Sequence, residues 1–154
     1  MDDALKKSDS LMTSINNVMD KLNNQNVSLA LATDFIPGDV LNRLNKESYF
    51  AGMIVAPNAD SKNAILGIPY QLINSTGKAS SEIASWMATQ VRKILRTDLG
   101  IGIVKNPKDR TFWIALVSSN DEEPQTIPVP LKNKRQIEDV IQKAFQMIAI
   151  KLNL

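Results

Sequence analysis

The pattern of apolar and polar residues along the chain predicts an α/β protein. Apolar residues recur three and four positions apart in residues 2–24 and again in about 133–152, which predicts an amphipathic helix at each end. A third such helix is predicted from Ser80, an N-cap residue type, to about Arg96. Its buried face is predicted to consist of Ile83, Met87, Val91 and Ile94.

Five segments have the pattern of β-strands. They are residues 27–32, 50–56, 99–103, 111–118 and 126–131. The second is a continuous apolar run, which is typical of a strand covered on both faces. The last contains Pro128 and Pro130, which lack N–H donors on the same edge, so it is predicted to lie at the sheet margin.

Shorter elements connect these strands. A turn at 35–39 leads into a short helix through Leu44, a helix from Asn58 ends near Leu66, and 68–79 is predicted to be turn-like. Strands and helices alternate early and strands follow one another later, which predicts parallel pairing and then a hairpin. We therefore expect a three-layer α/β/α sandwich with a mixed, mostly parallel five-stranded sheet. We also expect residues 1–154 to form one domain, on which the N-terminal helix (1–26) packs.

Composition restricts the chemistry more than it identifies it. The 154 residues include no Cys and no His, which excludes disulfides, thiolate nucleophiles, Ser-His-Asp triads and imidazole metal sites. We expect no cofactor and no metal, because no acidic cluster occurs. The formal net charge is only +2, and basic and acidic residues are mixed along the chain, which argues against nucleic-acid binding. No signal peptide or membrane span is predicted, so the cytoplasm is the expected location.

From Val27 to the end, the order of motifs resembles the CinA C-terminal domain, the nicotinamide-nucleotide amidase family. The resemblance is carried by 50–56 (FAGMIVA), Lys62, 65–69 (ILGIP), 77–84 (GKASSEIA) and 111–116 (TFWIAL). The resemblance implies that the chain forms a homodimer. Active members of the family hydrolyse the carboxamide of nicotinamide mononucleotide. In those members the nucleophile is the serine of a Glu-Ser-Cys-Thr-Gly-Gly motif, supported by the lysine and tyrosine of a Tyr-Ser-Asn-x-x-Lys motif.

The serine motif is altered in this chain. The corresponding residues are 33–38 (TDFIPG), so Asp34 occupies the serine position and only one glycine, Gly38, remains. A carboxylate is a poor nucleophile for amides, since attack would form a mixed anhydride from a stabilised anion. Pro37 removes a backbone N–H from the loop that should hold the oxyanion, and one such donor is typically worth about 3 kcal/mol.

The lysine motif is altered less. It is now 57–62 (PNADSK), which keeps Lys62 but has Pro57 in place of tyrosine. We predict that Lys62 is solvated on the helix surface, or that it forms an ion pair with Asp34 where the serine–lysine dyad would be. The loop at 105–110 is shorter than the family's glycine-rich loop, and its basic residues are expected to be merely exposed.

Three functions are compatible with these residues. A domain without amidase activity would be a non-catalytic binding or interaction module. An active amidase would need Lys62 as base and a substitute nucleophile, either water or the hydroxyl of Thr33 or Ser61. A binding protein could keep a nucleotide-like small molecule at Gly38, Thr33 and Asn58. Trp113 is expected in the core, whereas Trp86 is a candidate for a subunit contact.

Overall fold

A computed structural model describes residues 15–38, 42, 44, 47–132 and 137–153. Its strands are β1 (Leu29–Thr33), β2 (Phe50–Val55), β3 (Leu99–Asn106), β4 (Thr111–Ser118) and β5 (Gln125–Pro130). Helices in the described part are α1 (residues 15–24), α2 (Ala59–Leu66), α3 (Tyr70–Thr76), α4 (Ser81–Leu95) and α5 (Ile137–Lys151).

The strands form one mixed sheet in the order β2-β1-β3-β4-β5. β1 pairs in parallel with β2 and β3, whereas β4 is antiparallel to β3 and to β5. This arrangement confirms the predicted α/β fold class. The strand that contains Pro128 and Pro130 lies at a sheet margin, as expected for residues that cannot donate to a further strand.

Two core clusters cover the two faces of the sheet, because side chains alternate along each strand. Leu29 and Leu31 of β1 belong to the cluster that includes α1 and α5. Ala30 and Ala32, on the opposite face, belong to the cluster that includes α2, α3 and α4. The large residues of β1 thus face one helical layer. The small residues face the other layer, so its helices can pack closer to the strand.

Two glycines of β3 bring α4 closer still. A Cβ atom on Gly100 would overlap the carbonyl oxygen of Ala88, and one on Gly102 would overlap the carbonyl oxygen of Ala84. The backbone of α4 therefore lies directly on the strand. This close seat fixes the helix whose N-terminus begins near the carboxyl ends of the parallel strands.

Some sequence predictions differ from the structure. Residues 68–79 are not merely turn-like, because α3 forms between Pro69 and Gly77. Its seven residues are too few to show a helical period. Ile94 is not buried on α4 but 47% exposed, because the helix ends there and Leu95 instead packs over Gly52. Within the described residues, no helix is long and apolar enough to cross a membrane.

The predicted terminal elements lie only partly within the described residues. α1 confirms the second half of the predicted helix 2–24, and residues 1–14 are outside the described part. Most of the short helix predicted through Leu44 is also outside it. α5 ends at Lys151, close to the predicted end at 152, and 133–136 are not described.

The predicted N-cap of α4 gives a first testable expectation. The Ser80 hydroxyl accepts a hydrogen bond from the Ile83 N–H at 3.2 Å and donates one to the Thr76 hydroxyl at 3.0 Å. Ser80→Ala should lower the free energy of unfolding by about 1 kcal/mol, because an N–H of the first turn loses its acceptor. Chemical denaturation would measure this. Ser81→Ala, one residue inside the helix, is the matched control, and equal losses would contradict the capping role.

Candidate functional site

The candidate site lies where the parallel strands end. Thr33 is the last residue of β1, and the main chain of Asp34 continues beside β3, with its N–H donating to the Ile103 carbonyl at 3.3 Å. On the other side, the Ala56 N–H donates to the Thr33 carbonyl at 2.8 Å, just before α2 begins. Carboxyl ends of parallel strands meet at one edge of a sheet, which is where α/β proteins usually bind ligands.

Asp34 joins three elements through its carboxylate. Oδ1 accepts a hydrogen bond from the backbone N–H of Lys105, near the end of β3, at 2.9 Å. Oδ2 lies 3.8 Å from Nζ of Lys62 on α2. The predicted ion pair between Asp34 and Lys62 is therefore present. Only 9% of the Asp34 side chain is exposed, so little of the carboxylate faces solvent.

The alternative prediction, that Lys62 is solvated on the helix surface, is wrong. Its side chain is fully buried, with 0% exposed. Among the described residues, Nζ has no hydrogen-bond partner, because 3.8 Å is an ion-pair distance and too long for a hydrogen bond. Lys62 and Leu66 are the buried residues of α2, and the sequence of this weakly amphipathic eight-residue helix does not reveal that face.

Burial shifts both members of the pair toward their neutral forms. Desolvation lowers the pKa of Lys62, and repulsion by Lys78 acts in the same direction, while the charge of Asp34 opposes them. Desolvation raises the pKa of Asp34, against the hydrogen bond from Lys105 and the charge of Lys62. The carboxylate and the ammonium are therefore each costly to bury alone and depend on one another.

The two candidate hydroxyls already have partners in the structure. The fully buried Thr33 hydroxyl donates to the Phe35 carbonyl at 2.6 Å. Ser61 belongs to a capping box at the start of α2: its N–H donates to Oδ1 of Asn58 at 2.8 Å, and its hydroxyl accepts from the Asn58 N–H at 3.2 Å. Both side chains hold local backbone in place, and Asn58 has the same capping function.

The remaining predicted residues lie on the segments that follow β1 and β3. Gly38 is exposed and has a φ of 67°, a left-handed backbone conformation that favours glycine. Pro37 is buried. The basic side chains of the 105–110 loop are exposed, as expected, although sequence reasoning did not find the role of the Lys105 backbone. No three carboxylate side chains of the described residues converge on a metal position.

The arrangement at the strand ends can be compared with known proteins. The profile of the CinA C-terminal domain matches residues 12–152, nearly the whole chain. The chain belongs to the CinA C-terminal domain family. This confirms the family resemblance inferred from the motifs.

Relatives in the CinA family are longer than this chain. A Flavobacterium psychrophilum protein named CinA-like is 30% identical over 110 residues, 66% of this chain and 26% of that protein. A Lysinibacillus sphaericus protein named as competence-damage inducible is 36% identical over 92 residues, 54% of this chain and 22% of that protein. The chain thus spans about a quarter of the length of these curated relatives.

Solved structures of the CinA superfamily share the fold. An Escherichia coli member has a TM-score of 0.79 at 16% identity, with 92% of this chain and 90% of that chain covered. An Enterobacter cloacae member has a TM-score of 0.76 at 19% identity, with the same coverage of both chains. At these identities the likeness concerns the fold alone.

Proposed function

We propose that this chain is a CinA-family domain without nicotinamide-nucleotide amidase activity, and that it is a non-catalytic binding or interaction module. The observation that carries the proposal is the buried pair of Asp34 and Lys62. The family resemblance implies a serine at the position of Asp34. A carboxylate there supplies no hydroxyl to attack an amide. It also forms an ion pair with the lysine that would activate such a hydroxyl.

Three further features support the loss of catalysis. Lys62 is fully buried, so a substrate cannot reach Nζ without rearrangement of the site. The hydroxyls of Thr33 and Ser61 are engaged in local hydrogen bonds. Pro37 cannot contribute an N–H to an oxyanion hole, which removes one of the donors on which acyl transfer depends.

One observation favours the alternative of an active amidase. Burial lowers the pKa of Lys62 toward the range in which a lysine acts as a general base. Such a base would have to activate water or a hydroxyl, but Lys62 is fully buried and paired with the carboxylate of Asp34. The closed, paired arrangement therefore makes the inactive form the better-supported function.

Steady-state ammonia release from nicotinamide mononucleotide tests the proposal. We expect the purified protein to release no more ammonia than buffer, and Lys62→Ala to change nothing. A thermal-shift series with the same nucleotide would detect ligand binding without turnover, because a bound ligand raises stability by mass action. Ammonia release that disappears in Lys62→Ala would support the amidase instead.

A further inference from the structure

A groove lies over the outer face of α4, away from the strand-end site. Its volume is about 590 Å³, within the range typical of small-molecule sites. Its apolar wall consists of Leu72, Trp86 and Pro124. Its charged side chains are Glu82 and Lys93 of α4 and Glu123 of the segment before β5. Among the described residues that line the groove, none belongs to the strand-end site.

Trp86 provides the aromatic surface of the groove. Its indole N–H donates to the Leu66 carbonyl at 3.1 Å, which holds the ring in place, while 36% of the residue is exposed. Because this N–H is already paired, the ring offers a ligand its π face and not a hydrogen-bond donor. Among side chains, the indole face is the best partner for an organic cation. A fixed and partly exposed indole therefore favours a cationic ligand.

The charges of the groove favour the same class of ligand. Two carboxylates, Glu82 and Glu123, line it against one ammonium, Lys93, so the lining carries a formal charge of −2 + 1 = −1. Within the described part of the chain, neither carboxylate forms an ion pair.

The position of Trp86 on α4 places it nearer to the carboxylate than to the ammonium. Glu82 lies one turn before Trp86 on the same helix face, whereas Lys93 lies two turns after it, about 10 Å along the axis. A cation on the indole ring would therefore have a carboxylate as its nearer charged neighbour on the helix. Glu123 adds a second carboxylate from outside the helix.

We propose that this groove binds an organic monocation with an apolar body, such as an arylalkyl ammonium ion. The apolar body lies against Leu72 and Pro124, and the ammonium group lies over the indole ring of Trp86. The apolar wall supplies contact area, whereas the cation–π contact and the carboxylate of Glu82 select the charge. The proposal is independent of the loss of amidase activity, because the two sites share no residue.

Three probes with the same apolar body and different charges test the site. They are phenylbutylamine, which is protonated at pH 7, neutral phenylbutanol and anionic phenylbutyrate. The chain has two tryptophans, so its proton–nitrogen correlation spectrum has two indole N–H signals, and Trp86→Leu identifies one of them by its loss. We expect the amine to shift the Trp86 signal with an affinity at least about threefold higher than that of the alcohol. The anion should bind more weakly than the alcohol.

Charge-neutralising variants locate the bound cation. Glu82→Gln and Glu123→Gln should each weaken binding of the amine about two- to fivefold. Lys93→Gln should strengthen it by a smaller factor, because its charge is farther from the ring. Glu138→Gln is the matched control and should leave binding unchanged, because Glu138 also lies in the first turn of a helix of 15 residues, but on α5 across the sheet.

Several outcomes would overturn the inference. They are equal affinities of the amine and the alcohol, a Trp86 signal that the amine does not move, and amine binding that is the same in Glu82→Gln as in the wild type. A Trp86 signal that shifts with protein concentration and not with the amine would show that a second copy covers the groove, which also contradicts the proposal. Far-ultraviolet circular dichroism checks that each variant is folded.

Discussion

Asp34→Asn should lower the free energy of unfolding by about 3–5 kcal/mol at pH 7, because it leaves the buried ammonium of Lys62 without a counter-charge. The amide oxygen can still accept the hydrogen bond from Lys105, so the change tests the charge and not the shape of the side chain. Urea denaturation followed by far-ultraviolet circular dichroism would measure the loss.

The double variant Asp34→Asn/Lys62→Met is the decisive control. It removes both charges and fills the lysine site with an apolar chain of similar length, so its stability should be within about 1 kcal/mol of the wild type or higher. The coupling between the two positions is then large and favourable. A single variant as stable as the wild type, or effects that simply add, would contradict a buried ion pair.

The loss in Asp34→Asn should also shrink as the pH rises. Lys62 titrates near 10.5 in the unfolded chain, and burial lowers its pKa in the folded protein. Between the two values the unfolded chain binds more protons, so stability increases with pH. The raised pKa of Asp34 has the opposite effect on the pH dependence of stability in the wild type. Between 3.8 and the raised value the folded protein binds more protons than the unfolded chain, so stability increases as the pH falls through this range.

Gly102→Ala should be the most damaging substitution in the sheet, with a loss of about 3 kcal/mol or more in the free energy of unfolding. The new methyl group would overlap backbone atoms of Ala84 and Ala88, which no rotamer change can relieve. α4 would have to move away from β3, and the apolar contacts of both elements would loosen. Thermal unfolding measured by calorimetry would show the loss.

Gly38→Ala provides the comparison for Gly102→Ala. Gly38 has a positive φ of 67° but no atom within contact distance of an added Cβ, so only the conformational cost of about 1–2 kcal/mol applies. A loss in Gly102→Ala no larger than the loss in Gly38→Ala would show that α4 does not lie as close to the strand as the structure places it.

Much of the fold could be predicted because its signals are local. The strand Thr111–Ser118 has the predicted bounds, and the paired prolines of the last strand place it at the sheet margin. The cap at Ser80 and the left-handed stop at Gly67 also depend on single residue types with known backbone preferences. Each of these features is decided within a few residues of sequence.

The burial of Lys62 could not be predicted, because long-range packing decides it. Its neighbours Asp60 and Asn63 are polar, so the segment has the composition of a solvated helix. Its position at the end of the sheet, opposite Asp34, follows only from the parallel pairing of β1 and β2. The motif positions of the family did predict that the two side chains meet, since both motifs follow strands that end at the same edge.

The exposed end of α4 shows the same limit. A helical period extended to Ile94 predicts burial, but the helix ends at Leu95, whose side chain packs over Gly52, and Ile94 faces solvent. Trp86, three residues after Ile83, lies beside the predicted buried stripe but is 36% exposed, which its sequence position alone does not decide. Periodicity identifies a helix face, whereas the extent of the covering surface depends on the rest of the fold.

We propose that Asp34, paired with the buried Lys62, has replaced the nucleophile of the family. A single-turnover experiment tests it most directly: protein in molar excess over nicotinamide mononucleotide, long incubation, acid quench and mass analysis of the nucleotide. We expect the amide to be recovered intact, at the level of a protein-free control. Nicotinic acid mononucleotide formed in proportion to the protein, and absent with Lys62→Ala, would contradict the account.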